Sequence, residues 1–223
     1  MPFSQARRRR HILASTVRAA VATLVMGAAA IAVPAPSTAA PEQAVTASAQ
    51  QIADHFATIK TMTGEFVQFG PNGEQTGGKF YIERPGKLRF DYDTKNNFKV
   101  IADGQSVAVS NVRMKTYNIY PLSKTPLKLL LGNRIDLTGN EVKDIEQSAD
   151  ATTIKLADKS VFGDSKLTMM FDPKTYALKQ WTVTDAQGKD TTVLIFNVQE
   201  GVPVDPSLFK IDYASAQIKQ RGK

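Results

Sequence analysis

The sequence predicts a mainly β protein with some helix, built on a large antiparallel sheet that is either open or rolled into a barrel. Three observations predict it. Short runs of alternating apolar and polar residues, rich in β-branched and aromatic side chains, recur from Met62 to Gln199. Turn residues separate these runs at intervals of about eight to twelve residues, the spacing of sandwiches and barrels. No rhythm of strands alternating with helices is present, which excludes a doubly wound parallel fold.

The chain opens with a segment that does not belong to the fold. Arg7–Arg10 and Arg18 make a cationic head, Ala19–Val33 is an uncharged apolar run, and Pro34–Ala40 supplies small residues for cleavage. That order is a secretory signal peptide, with Ser37 and Ala39 at the positions a signal peptidase reads. We expect residues 1–39 to be removed and the chain to reach the periplasm. Arg9-Arg10 also fits a twin-arginine leader, so the export route stays open between the two systems.

Five of the 28 Lys and Arg residues lie in this leader, together with none of the 21 Asp and Glu. What remains is nearly neutral, apart from a basic tail over 214–223 with Lys219, Arg221 and Lys223. A nucleic-acid partner is therefore not expected. The chain has no cysteine, so it has neither disulfides nor a cysteine to be acylated. Residues 40–213 are long enough for one domain with its own core.

The first element is helical. Val45, Ala49, Ile52, Phe56 and Ile59 recur at spacings of three and four, which predicts an amphipathic helix from about Pro41 to Lys60. Strands are then predicted at 62–69, 77–84, 87–93, 98–103, 106–111, 113–120, 141–147, 151–157, 165–171, 176–184 and 190–199. Pro71-Asn72-Gly73, Pro85-Gly86, Asp103-Gly104, Asp172–Thr175 and Gln187–Lys189 supply turns between them. Thr125 as a cap, Pro126 at the first helical position and Gly132 past the end predict a short helix carrying Leu127, Leu129, Leu130 and Leu131. A second short helix is predicted to start at Asp205-Pro206.

Chemistry-bearing motifs are scarce. Gly73–Lys79 has the spacing of a phosphate-binding loop, but Phe80 replaces the hydroxyl residue and a hairpin replaces the helix that this chemistry needs. Ser207-x-x-Lys210 has no Ser-Asp-Asn or Lys-Thr-Gly partner. His55 is the one histidine outside the leader, so a zinc site or a Ser-His-Asp triad lacks material. Asp91 and Asp93 fall on a charged strand face, where solvation explains them. No cofactor, metal or enzymatic activity is expected.

The apolar alternation is the stronger signal. Leu88/Phe90/Tyr92, Val107/Val109, Leu167/Met169/Phe171, Trp181/Val183 and Leu194/Phe196/Val198 place large side chains on one face of successive strands, joined by Phe66 and Met114. A sheet of this size needs a second layer. Any one of these side chains alone reads as ordinary packed core. One long helix and two short ones make a small lid, however, so for the set together a cavity for acyl chains is expected beneath them.

Taken in order, the segments "MTGEFVQFGPNGEQTGGKFYIERPGKLRFDYD" (62–93), "VIADGQSVAVSN" (100–111), "TPLKLLLGN" (125–133), "LTMMFDPKTYALKQWTVTDAQGKDTTVLIFNV" (167–198) and "VDPSLFKI" (204–211) resemble the LolA family. The resemblance implies an unclosed barrel of about eleven antiparallel strands, lidded by helices, whose apolar hollow takes the acyl chains of lipoproteins. It implies a periplasmic monomer, loaded by the inner-membrane ABC transporter LolCDE and unloaded at the outer membrane to LolB where that acceptor exists. Arg84 falls where the family places an arginine that tethers the lid through main-chain carbonyls, and Leu127–Leu131 fall on its lid helix. Glu83 departs from the lysine common before the Arg-Pro pair. Two rivals share the fold: a carrier of another lipid or glycolipid, and a lipid-sensing regulatory domain.

Overall fold

A computed structural model describes residues 40–93, 98–111, 113, 114, 116–160 and 163–214. The expected leader, and the expected tail beyond its first residue, lie outside these. A helix α1 (Ala40–Thr58) precedes eleven strands: β1 (Thr61–Phe69), β2 (Gln75–Glu83), β3 (Lys87–Tyr92), β4 (Phe98–Asp103), β5 (Ser106–Asn111), β6 (Thr116–Pro121), β7 (Val142–Gln147), β8 (Thr152–Ser160), β9 (Gly163–Phe171), β10 (Leu178–Thr184) and β11 (Asp190–Glu200). Between β6 and β7 lie a 3₁₀ turn, Leu122–Lys124, and a one-turn helix α2 (Leu127–Leu130); a 3₁₀ turn over Pro206–Phe209 follows β11.

All eleven strands form one antiparallel sheet in the order β6-β5-β4-β3-β2-β1-β11-β10-β9-β8-β7. β6 and β7 stand at opposite edges, so the barrel is unclosed. β1 is the seam, pairing with β2 on one side and with β11, the last of the described strands, on the other. β6 starts at Thr116 rather than 113 because the Asn111 side chain accepts from the Met114 N–H and closes a turn there.

Turn chemistry places the two ends of the sheet. At one end lie the β2–β3 turn, where Gly86 sits at φ 83°, and the β4–β5 turn with Gly104. A Cβ on Gly86 would come within 2.8 Å of the Gly104 Cα, so glycine serves both the positive φ and the close approach of the two turns. At the other end lie the β1–β2 and β10–β11 turns.

The core occupies the concave face. Ala49, Ile52, Ala53 and Phe56 of α1 are buried against it, and the Phe56 ring meets Phe171 edge to face at 5.4 Å. His55 lies on the exposed side of the helix, its ring 5.7 Å from that of Tyr176. Ile154 has no exposed surface. Shortening it to valine should lower stability by about 0.5–1.5 kcal/mol, read as a lower urea midpoint at unchanged slope.

On the convex face the chain after β11 runs back over β3 and β4. Arg89 Nη1 donates to the Leu208 carbonyl at 3.1 Å, Phe209 is buried, and the Tyr213 hydroxyl donates to Asp103 Oδ2 at 2.6 Å. Asp205 caps this 3₁₀ turn by accepting from the Ser207 N–H. Ser207 therefore starts a packing element, as its neighbours predict.

Candidate functional site

An apolar cavity of about 310 Å³ opens on the concave face. Phe90 and Tyr92 of β3, Val107 and Val109 of β5, Trp181 and Val183 of β10, and Leu127 line it. Val100 of β4 and Tyr120 of β6 also line it. These two were missed because each sits in a run whose apolar residues fit either phase. The cavity lies over a close-packed aromatic floor: Phe66 stands 4.6 Å from Phe90 and 5.0 Å from Tyr92, and Phe90 stands 6.0 Å from Trp181, ring centre to ring centre.

Other expected wall residues lie elsewhere. Phe66, Leu88, Leu167, Met169 and Phe171 are almost wholly buried in the packed core, where α1 and the leucines of the β6–β7 connection cover them. Leu194 and Phe196 point outward and are exposed, while Val193 and Ile195 point in. The reason is a bulge. Asn197, at φ 51°, and Val198 together oppose Gly64, so the strand changes phase before Val198, which packs on the core. Met114 lies exposed in the β5–β6 turn and is not part of the wall.

The β6–β7 connection crosses from one sheet edge to the other and supplies the cover. Its 3₁₀ turn touches both β5 and β8. Leu130 and Leu131 are buried, and Leu127 and Leu129 are half-buried against the core. Thr125 does not cap α2 as predicted. Its hydroxyl donates to the Leu122 carbonyl at 2.9 Å, and Pro126 occupies the cap position without a side-chain bond. α2 is thus a single turn, and a helix this short forms only where packing holds it.

Arg84 is buried at the foot of this cover. Its Nη2 donates to the carbonyls of Phe56 and Ile59, and its guanidinium lies over the Phe56 ring at 3.8 Å. The last carbonyls of a helix lack intrahelical partners and carry its negative pole, so a cation there completes the end of α1. Both bonds therefore go to the end of the long N-terminal helix. The leucine segment is held by the next residues of the same turn, where the Gly86 N–H donates to the Leu131 carbonyl at 2.9 Å. Burial pushes the Arg84 pKa down to about 10, with the Glu200 carboxylate pulling the other way, so the side chain remains cationic at neutral pH. Its Nε and Nη1 have no hydrogen-bond partner among the described residues.

Residues 57–212 match the family model of the outer membrane lipoprotein carrier protein LolA. The chain belongs to the LolA family. Among its relatives, the outer-membrane lipoprotein carrier protein of Methylococcus capsulatus is 25% identical over 177 residues, covering 75% of this chain and 85% of that one. The corresponding protein of Halorhodospira halophila is 26% identical over 172 residues, covering 73% and 80%. Among solved structures, a LolA superfamily protein from Nitrosomonas europaea covers 74% of this chain and 98% of its own, at 11% identity and a TM-score of 0.39.

Proposed function

We propose that this LolA-family protein is a non-enzymatic periplasmic carrier, which buries the acyl chains of lipoproteins in its concave cavity and ferries them from the inner to the outer membrane. The observation that carries this reading is the apolar hollow between Phe90, Val109, Trp181 and Leu127 in a sheet with an unclosed barrel edge. A lipoprotein anchor leaves a bilayer at a cost of roughly 0.8 kcal/mol per methylene, so a soluble carrier must offer it a matching apolar surface.

A hollow of about 310 Å³ is at the lower end for a ligand site, so a multi-chain anchor requires the cover to swing away. The turn Arg84-Pro85-Gly86 is the latch in this reading, because it binds both α1 and the leucine segment. Loading falls to an inner-membrane ABC transporter of the LolCDE type, and unloading to LolB where present.

Mass spectrometry of material extracted from protein isolated from periplasm tests the cargo. Acylated polypeptide is the expected ligand. Free phospholipid or glycolipid in its place would assign the cavity to a different lipid.

A further inference from the structure

The cavity has a direction. Strand pairing fixes which of its residues lie toward which end of the sheet. Val107 faces Tyr120 near the end that carries the β4–β5 turn and the Arg84–Gly86 turn. Leu130 and Leu131 are buried, and the Gly86–Leu131 bond fastens the leucine segment to the Arg84–Gly86 turn, so that end is closed by apolar side chains. The opposite end is polar. Gln68 lies one residue from the end of β1, Tyr92 ends β3, and Thr191 pairs with Val183 beside the β10–β11 turn, and all of them line the cavity.

Two of these groups form a pair. The Tyr92 hydroxyl donates to Gln68 Oε1 at 2.7 Å, and burial raises the Tyr92 pKa, so the hydroxyl keeps its proton. With its carbonyl engaged, what Gln68 has left to offer the cavity is its amide N–H, which makes no hydrogen bond among the described residues. A donor at the lip of an apolar hollow suits a ligand whose chain enters tail first and whose first polar atom is an acceptor.

We infer that Gln68, oriented by Tyr92, receives the ester or amide carbonyl of a bound acyl chain, with the methyl end running past Phe90 and Trp181 toward Leu127. This rests on the acyl-carrier reading above and adds an orientation and a specificity residue to it.

The test compares two probes of equal length on the mature protein: methyl palmitate, which has the carbonyl, and methyl hexadecyl ether, which does not. Both are titrated by displacement of an apolar dye. The wild type should bind the ester about fivefold more tightly, the value of one hydrogen bond. Gln68→Leu should bring the two affinities together by weakening the ester alone, and Tyr92→Phe should narrow the gap while ether binding stays. Equal affinities in the wild type, or a preference that survives Gln68→Leu, would overturn the assignment while leaving the acyl cavity in place. Failure of both probes to displace the dye would overturn the cavity reading, and the assignment with it.

Discussion

Replacing Arg84 by leucine is expected to leave the eleven-stranded sheet folded and to cripple cargo delivery. Two opposed effects decide the first half. The variant loses two charge-assisted bonds to the Phe56 and Ile59 carbonyls, each worth about 1.5–3 kcal/mol in place. It also sheds a buried cation whose Nε and Nη1 lack partners, and burying such a charge costs several kcal/mol. These offset one another, so the urea midpoint should move little. The loss is local. The end of α1 loses the cation on its Phe56 and Ile59 carbonyls, the first keeping only the Ile59 N–H at 3.3 Å. Amide exchange over 52–60 should quicken by about tenfold or more, for roughly 1.4 kcal/mol of lost closure. In a reconstituted release assay, transfer to the acceptor should fall steeply. Arg84→Lys should fall between, because an ammonium keeps the charge but lacks the planar guanidinium that lies over the Phe56 ring while bonding both carbonyls. Normal delivery by Arg84→Leu would remove the latch from the mechanism.

Filling the cavity is the second large effect. Val109 is half-buried on β5, opposite Val100, and its side chain faces the hollow. Val109→Trp puts an indole into space that is open, so the substitution should not strain the core and the melting temperature should hold or rise. An acyl chain would lose the room of about four methylenes. At roughly 0.8 kcal/mol each this is about 3 kcal/mol, or on the order of a hundredfold in affinity for a fluorescent fatty acid. Unchanged affinity with the variant folded would place acyl binding outside this hollow.

The strands were legible because their signals are local. Alternation such as Leu88-Arg89-Phe90-Asp91 and turns such as Pro85-Gly86 state both the element and its facing within a few residues. Facing became illegible where four apolar residues run together, as in Val193–Phe196. There the phase depends on a bulge opposite Gly64, and pattern alone does not show which residue is doubled. The cavity was legible as a shortage of cover, not as a residue list. Whether Leu167 or Trp181 meets a ligand depends on where α1 and the leucine segment come to rest, a long-range matter. Gln68 escaped notice for a related reason: its significance comes from Tyr92, which lies 24 residues away in the sequence. Arg84 stood out through family resemblance, but its target, the end of α1, had to be seen in three dimensions.

The seam at β1 has a consequence for how the protein is made. β2 through β6 can add to β1 in turn as the chain arrives, each against a strand just completed, but the other side of β1 waits for β11. Met62 pairs with Glu200, so nearly the whole domain must be made before the two halves join. Until then an unpaired strand edge and the greasy concave face are both open to neighbours, and closure at such sequence separation is slow. On the proposed function, a protein that keeps lipid tails from water thus passes through an early life in which it needs the same protection itself.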